Sequence, residues 1–383
     1  MNDNRIRTLA ENLVNYSTHI EKGNKVLIEV TGQEEELAKE LIRAVYRAGG
    51  QPYYSINNER LLKEWLKGND DNGIDEATVS SQARWESARM SDMDAYIGIR
   101  IKDNLYDLAG IPDQVMTRYN KFFVKPVHLD IRVPKTKWVI LRYPNPSMAQ
   151  EAGMSTEDFT NFYFKVCNFD YRLMSKRMDP LVEILNNAKE VQIKAPSVDL
   201  RFSIEDIPAV KCDGIMNIPD GEVFTAPVKD SVEGEITFNT PSPHDGKVYN
   251  NIKLQFAKGK IVNAECPHDS EALNAVLDTD EGSRYIGEFA FGLHPLILQP
   301  IHDILFDEKI SGSFHFTPGA CYDEADNGNK SAVHWDMIYI MRSEYGGGEI
   351  YLDNQLIQKD GLFCHPSLVG LNPQSLLPAF NCK

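Results

Sequence analysis

The sequence predicts an α/β N-terminal domain with a mostly parallel sheet, followed by a β-rich α+β C-terminal domain. Two observations carry this. Helix and strand patterns alternate up to about residue 190, and short strands punctuated by Gly, Pro, Asn and Asp replace them afterwards. The length of 383 residues fits two domains of roughly 100–200 residues each. The boundary is drawn between 1–189 and 190–383.

Taking the elements in order, Ile6, Leu9, Ala10, Leu13 and Val14 keep helical spacing and form one apolar stripe. Gly23 breaks the chain before the apolar run Val26–Val30, a strand. Leu37, Leu41, Ala44, Val45 and Ala48 mark a second amphipathic helix, closed by Gly49 and Gly50. Tyr53–Ile56, Ala95–Ile101 and Trp138–Leu141 read as further strands, and strands linked by helical crossovers imply a parallel sheet. Ser155–Cys167 and Pro180–Val191 read as helices. Beyond them, Val191–Lys194 and Val198–Ile204 form a hairpin around Pro196. Asn251–Ala257 and Ile261–Glu265 form another around Lys258, Gly259 and Lys260, and Ser270–Leu277 is a helix.

The charge balance of 40 basic against 56 acidic residues, a net −16, argues against binding nucleic acid or an anionic membrane and suits cationic ligands. The least polar stretch, Phe289–Ile301, holds His294 and two prolines and is too short to span a bilayer. No apolar signal segment opens the chain. Six dispersed cysteines (Cys167, Cys212, Cys266, Cys321, Cys364 and Cys382) without C-x-x-C spacing suit reduced thiols in a cytoplasm. Phosphate-loop, dinucleotide, nucleophile-elbow and H-E-x-x-H motifs are absent. Any site is therefore assembled from residues distant in sequence.

His334 and Asp336, in Ser-Ala-Val-His-Trp-Asp-Met-Ile-Tyr-Ile-Met, share a strand face at i and i+2 amid large apolar side chains. His315 lies between Phe314 and Phe316 in a second such strand. Glu222 and Glu288 also sit inside apolar runs, where a carboxylate is rarely buried unless it is paired or metal-bound. Taken singly, each reads as a hydrogen-bonded or ion-paired core residue. Together, two imidazoles and three carboxylates form the ligand set of a hard or borderline divalent metal, and suit two close ions better than one structural zinc.

Asn217-Ile-Pro-Asp-Gly-Glu222-Val-Phe-Thr-Ala-Pro227 resembles the signature of the aminopeptidase T family of thermophilic metallo-aminopeptidases. Lys22-Gly-Asn-Lys-Val-Leu-Ile, Arg132-Val-Pro, Tyr143-Pro leading to Ala149–Thr156, Ile286-Gly-Glu288 and Ser331–Met337 extend the likeness along the chain. The resemblance implies a dinuclear centre with Glu222, Glu288, His315, His334 and Asp336 as ligands and Glu308 as a further acidic ligand. It implies Tyr322 as an active-site tyrosine, with Glu222 or Glu288 carrying the proton. It further implies hydrolysis of the N-terminal bond of short peptides with a free N-terminus, two divalent ions (Zn, Co, Mn or Mg) and a homodimer. Two other readings stand beside it. One is a mononuclear Fe(II) ring-opening dioxygenase resembling the same family; the other is a non-catalytic protein that keeps the ligands for structure.

Overall fold

The computed structural model describes residues 3–69, 72–104 and 106–377. It divides into two compact units. One runs up to Phe169 and includes Gly214–Ile218; the other comprises Asp170–Asp213 and the chain from Pro219 onward. Among the described residues no helix is long and apolar enough to cross a membrane. Cys382 lies outside them; the five described cysteines are free.

In the first unit five strands pair in parallel, in the order Gln51–Asn57, Lys25–Thr31, Ala95–Arg100, Lys137–Arg142 and Asn217–Ile218. The run Val26–Val30 is buried throughout, as a strand with helices on both faces requires. Helix Glu36–Arg47 buries Leu37, Leu41, Ala44 and Val45, the stripe read from the sequence. A polar cluster sits inside this unit. Glu29 accepts from the Tyr96 hydroxyl at 2.7 Å and from Arg100 at 3.2 Å. The Arg132 guanidinium lies over the rings of Tyr96 and Trp138.

The second unit is antiparallel. An eight-stranded sheet is built from residues 190–265 and 349–363. A five-stranded sheet runs in the order Met337–Ile340, Ser313–Pro318, Ile286–Gly292, Glu222–Thr225 and Val210–Cys212. Strand alternation gives the five-stranded sheet two different faces. Phe289, Phe314 and Phe316 point to one, where Phe202 of the larger sheet meets Phe289 at 5.1 Å and Phe316 at 5.2 Å between ring centres. Glu288, His315 and Thr317 point to the other.

Three boundaries differ from expectation. The helix expected at 180–191 spans Tyr171–Asn187, with Pro180 in its interior, and strand begins at Glu190. Met174, Met178, Leu181 and Leu185 keep one buried stripe across the proline, and the Asp170 side chain caps the start. The unit division falls at Phe169/Asp170 instead of 189/190, because this helix packs on Val210–Cys212 and Glu222–Thr225. The edge strand expected to carry His334 and Asp336 starts only at Met337, so both lie in the extended segment leading into it.

Candidate metal centre

Glu222 begins its strand directly after Gly221, and Glu288 sits on the central strand, where the register slips between Ile286 and Glu288. Gly287 makes that bulge feasible. A Cβ there would lie 2.2 Å from the Ala320 carbonyl oxygen and 2.4 Å from that of Gly319. The bulge lets the following turn close over the strand and sets Glu288 opposite Thr317. His334 is held by a bridge to Gly319, and Trp335 N donates to the Pro318 carbonyl at 3.1 Å.

These elements bring five of the expected residues together. His315 Nε2 lies 2.8 Å from Glu288 Oε1 and 3.6 Å from Glu222 Oε2. His334 Nε2 lies 3.3 Å from Asp336 Oδ1 and 3.7 Å from Glu288 Oε2. Among the described residues, Glu222, Glu288 and His315 form one donor cluster and Glu288, His334 and Asp336 another, with Glu288 common to both. Tyr322 stands at the rim, its ring 4.8 Å from that of His334 and half exposed. Glu308 belongs to neither cluster; it accepts from Lys309 at 2.7 Å.

Burial works against the charge on both histidines, but the carboxylates win. Glu288 and Glu222 hold His315 up at about 9, and Asp336 and Glu288 hold His334 up at about 10. Burial raises Glu288 above the usual carboxylate range and Glu308 to about 8, the neighbouring carboxylates adding to each. Asp336 is also desolvated, yet His334 and the 2.7 Å bond from the Thr317 hydroxyl keep it well below that range. Burial, with Glu288 and Asp336, keeps the Tyr322 phenol protonated far above neutral pH.

The donor set fits a divalent cation. Glu222 Oε2 and Glu288 Oε2 are buried acceptors with no hydrogen-bond donor, a costly arrangement in the absence of a cation. His334 Nδ1 lies 2.8 Å from the Ala320 carbonyl, which only accepts, so Nδ1 carries the proton and the neutral ring offers Nε2 as ligand.

Sequence reasoning missed two groups beside the centre, Lys309 and Thr317. Lys309 is 2% exposed and lies 2.7 Å from Glu222, with Asp220 and Cys212 completing its surroundings. Nothing local marks Lys309, which stands in the charged run Asp307-Glu308-Lys309. Thr317 was visible as the residue two along from His315 on the same strand face.

Residues 2–363 match the family described as thermophilic metalloprotease (M29). The chain belongs to that family. Its class is therefore metal-dependent peptide hydrolysis. Aminopeptidase PepS of Streptococcus thermophilus is 26% identical over 86% of this chain and 90% of its own length. Among solved structures, wild-type AmpT from Thermus thermophilus superposes with a TM-score of 0.72 at 20% identity, covering 94% of this chain and 99% of its own. The 2,5-dihydroxypyridine dioxygenase of Pseudomonas putida superposes at 0.60 and 14% identity, over 95% and 98%. Both structural likenesses bear on the fold alone, and the expected α/β plus β-rich architecture agrees with them.

Proposed function

We propose that the chain is a metal-dependent aminopeptidase that removes the first residue of short peptides, using two divalent ions at the centre described above. The observation that carries this reading is the sharing of Glu288 between two donor clusters, one buried and one partly buried, each with one imidazole. Glu222, Glu288 and His315 would hold one ion, and Glu288, His334 and Asp336 the other. Oxygen and imidazole donors suit zinc, cobalt, manganese or magnesium. Bound divalent ions supply Lewis acidity, which polarises a carbonyl and makes water acidic near neutral pH.

The chain's own groups do the rest. Glu222 or Glu288 takes the proton from the attacking water and returns it to the leaving amine nitrogen. The Tyr322 hydroxyl, kept protonated, donates to the oxygen on which negative charge develops, a contribution of about 3 kcal/mol for a donor of this kind. Acidic side chains around the centre pair with the free α-ammonium of the substrate, which favours cleavage at the N-terminus. The family resemblance supports a homodimer, for which sedimentation is the check, and the five free thiols support a cytoplasmic setting.

Glu288→Gln or His334→Ala should abolish hydrolysis of aminoacyl-arylamides while leaving the far-UV spectrum unchanged. Retained turnover in either variant removes that residue from the mechanism. Oxygen uptake with a dihydroxypyridine, without release of free amino acids from peptides, would replace this reading with the mononuclear iron one.

A further inference from the structure

Donor groups in this site form three clusters in a row. Beside the two already described lies a third, Cys212, Asp220 and Glu222, whose ligand atoms are within 4.8 Å of one another. Successive clusters share Glu222 and Glu288.

The third cluster differs from the others in one respect. The Lys309 ammonium stands beside it, 2.7 Å from Glu222 Oε1, 3.5 Å from Asp220 Oδ1 and 2.7 Å from Glu308 Oε1. Three donors on the ammonium meet three carboxylates, and the side chain is 2% exposed. The backbone fixes it there. Lys309 N donates to the Phe306 carbonyl at 3.0 Å, and the Lys309 carbonyl accepts from His294 N at 3.0 Å. Gly292 leaves room for the turn, since a Cβ there would lie 2.3 Å from the Ile310 carbonyl oxygen. The two oxygens of Glu222 are thereby divided: Oε1 is taken by Lys309, while Oε2 has no donor and faces His315.

We propose that Lys309 is a built-in cation that fills the third cluster, keeps metal out of it, and restricts Glu222 to coordination through one oxygen. This rests on the two-ion reading above. With bound cations holding all five carboxylates (Asp220, Glu222, Glu288, Glu308 and Asp336) ionised, one ammonium leaves four negative charges, the complement of two divalent ions. An ion approaching Cys212 and Asp220 meets a fixed positive charge a few ångströms away, in surroundings that screen it poorly. Lys309 is thus a positioning residue that acts through Glu222.

The test is a cobalt(II) titration of metal-free protein, with bound equivalents counted by equilibrium dialysis and elemental analysis. The near-ultraviolet thiolate-to-cobalt charge-transfer band reports Cys212. Wild type should show no such band. Lys309→Met should bind one more equivalent than wild type and acquire the band, and adding Cys212→Ser should remove the band. No additional equivalent in Lys309→Met, or a Cys212-dependent band in wild type, overturns the proposal. Lys309→Gln is read in the same way, and if either variant unfolds without metal, cobalt should restore the fold with the extra equivalent bound. Failure of cobalt to restore both variants also overturns it. The wild-type count tests the two-ion reading, whereas the difference between variant and wild type tests Lys309.

Discussion

Thr317→Val isolates one hydrogen bond at the proposed centre. Thr317 is fully buried on the strand that carries His315, and its hydroxyl donates to Asp336 Oδ1 at 2.7 Å. Valine keeps the volume and the β-branch, so little cavity forms, and only the donor is lost. A hydrogen bond to a charged group contributes about 1.5–3 kcal/mol. Removing the group that orients a metal ligand typically costs about 10–100-fold in metal affinity or activity, or about 1.4–2.8 kcal/mol on the scale of 1.4 kcal/mol per tenfold. The two routes agree, so the variant should bind metal about 10–100-fold more weakly, with Thr317→Ser close to wild type. The assay is competition for the ion with a chelator of known affinity. An affinity within about twofold of wild type would show that Asp336 needs no such orientation. A serine variant as weak as valine would place the effect in packing of the methyl group.

Three further outcomes are expected. Gly287→Ala forces a Cβ against two backbone carbonyls, one of which orients His334, and should lower stability by about 1–3 kcal/mol in thermal melts and reduce metal affinity as well; an unchanged melting temperature would mean the bulge relaxes freely. Glu29→Leu leaves Arg100 and Tyr96 without their buried partner and should destabilise the protein by about 3–5 kcal/mol in denaturant titration, so a neutral result would make that ion pair dispensable. In metal-free protein, His315 and His334 titrate at about 9 and about 10, above their unfolded value, so their stabilisation is complete below the ordinary histidine range and is lost as pH rises through 9 and 10. Glu308 and Asp307, both pushed up to about 8, act in the same direction between the ordinary carboxylate range and pH 8. Stability of the metal-free chain should therefore fall on alkalinisation, and a denaturation midpoint that rises from pH 7 to pH 10 would contradict the assignment.

How much of this was legible in the sequence depended on the range of the signal. Alternation along one strand is local, so Phe314, His315 and Phe316 declared their two faces without a structure, and the apolar run Val26–Val30 declared a buried strand. Glu222 and Glu288 stood out because carboxylates in apolar runs need a reason. Lys309 was hidden because a lysine beside Glu308 reads as a surface pair; only the fold shows that the turn is buried and aimed at Glu222. Pro180 misled as a helix start because a proline is commonest there, whereas tertiary packing of Met174, Met178 and Leu181 carried the helix through it. The bulge at Gly287 was invisible for the same reason, since what forbids a side chain is the distant carbonyl of Ala320.

The order of strands in the five-stranded sheet has a kinetic consequence. Its neighbours are drawn from residues 210 to 340, and the second donor cluster needs the final strand's leading segment in place. A chain emerging during synthesis cannot present both clusters until that edge has docked. Ion capture then follows the long-range pairing that limits refolding, so loading with metal should leave the refolding rate unchanged and act by slowing the loss of the native state.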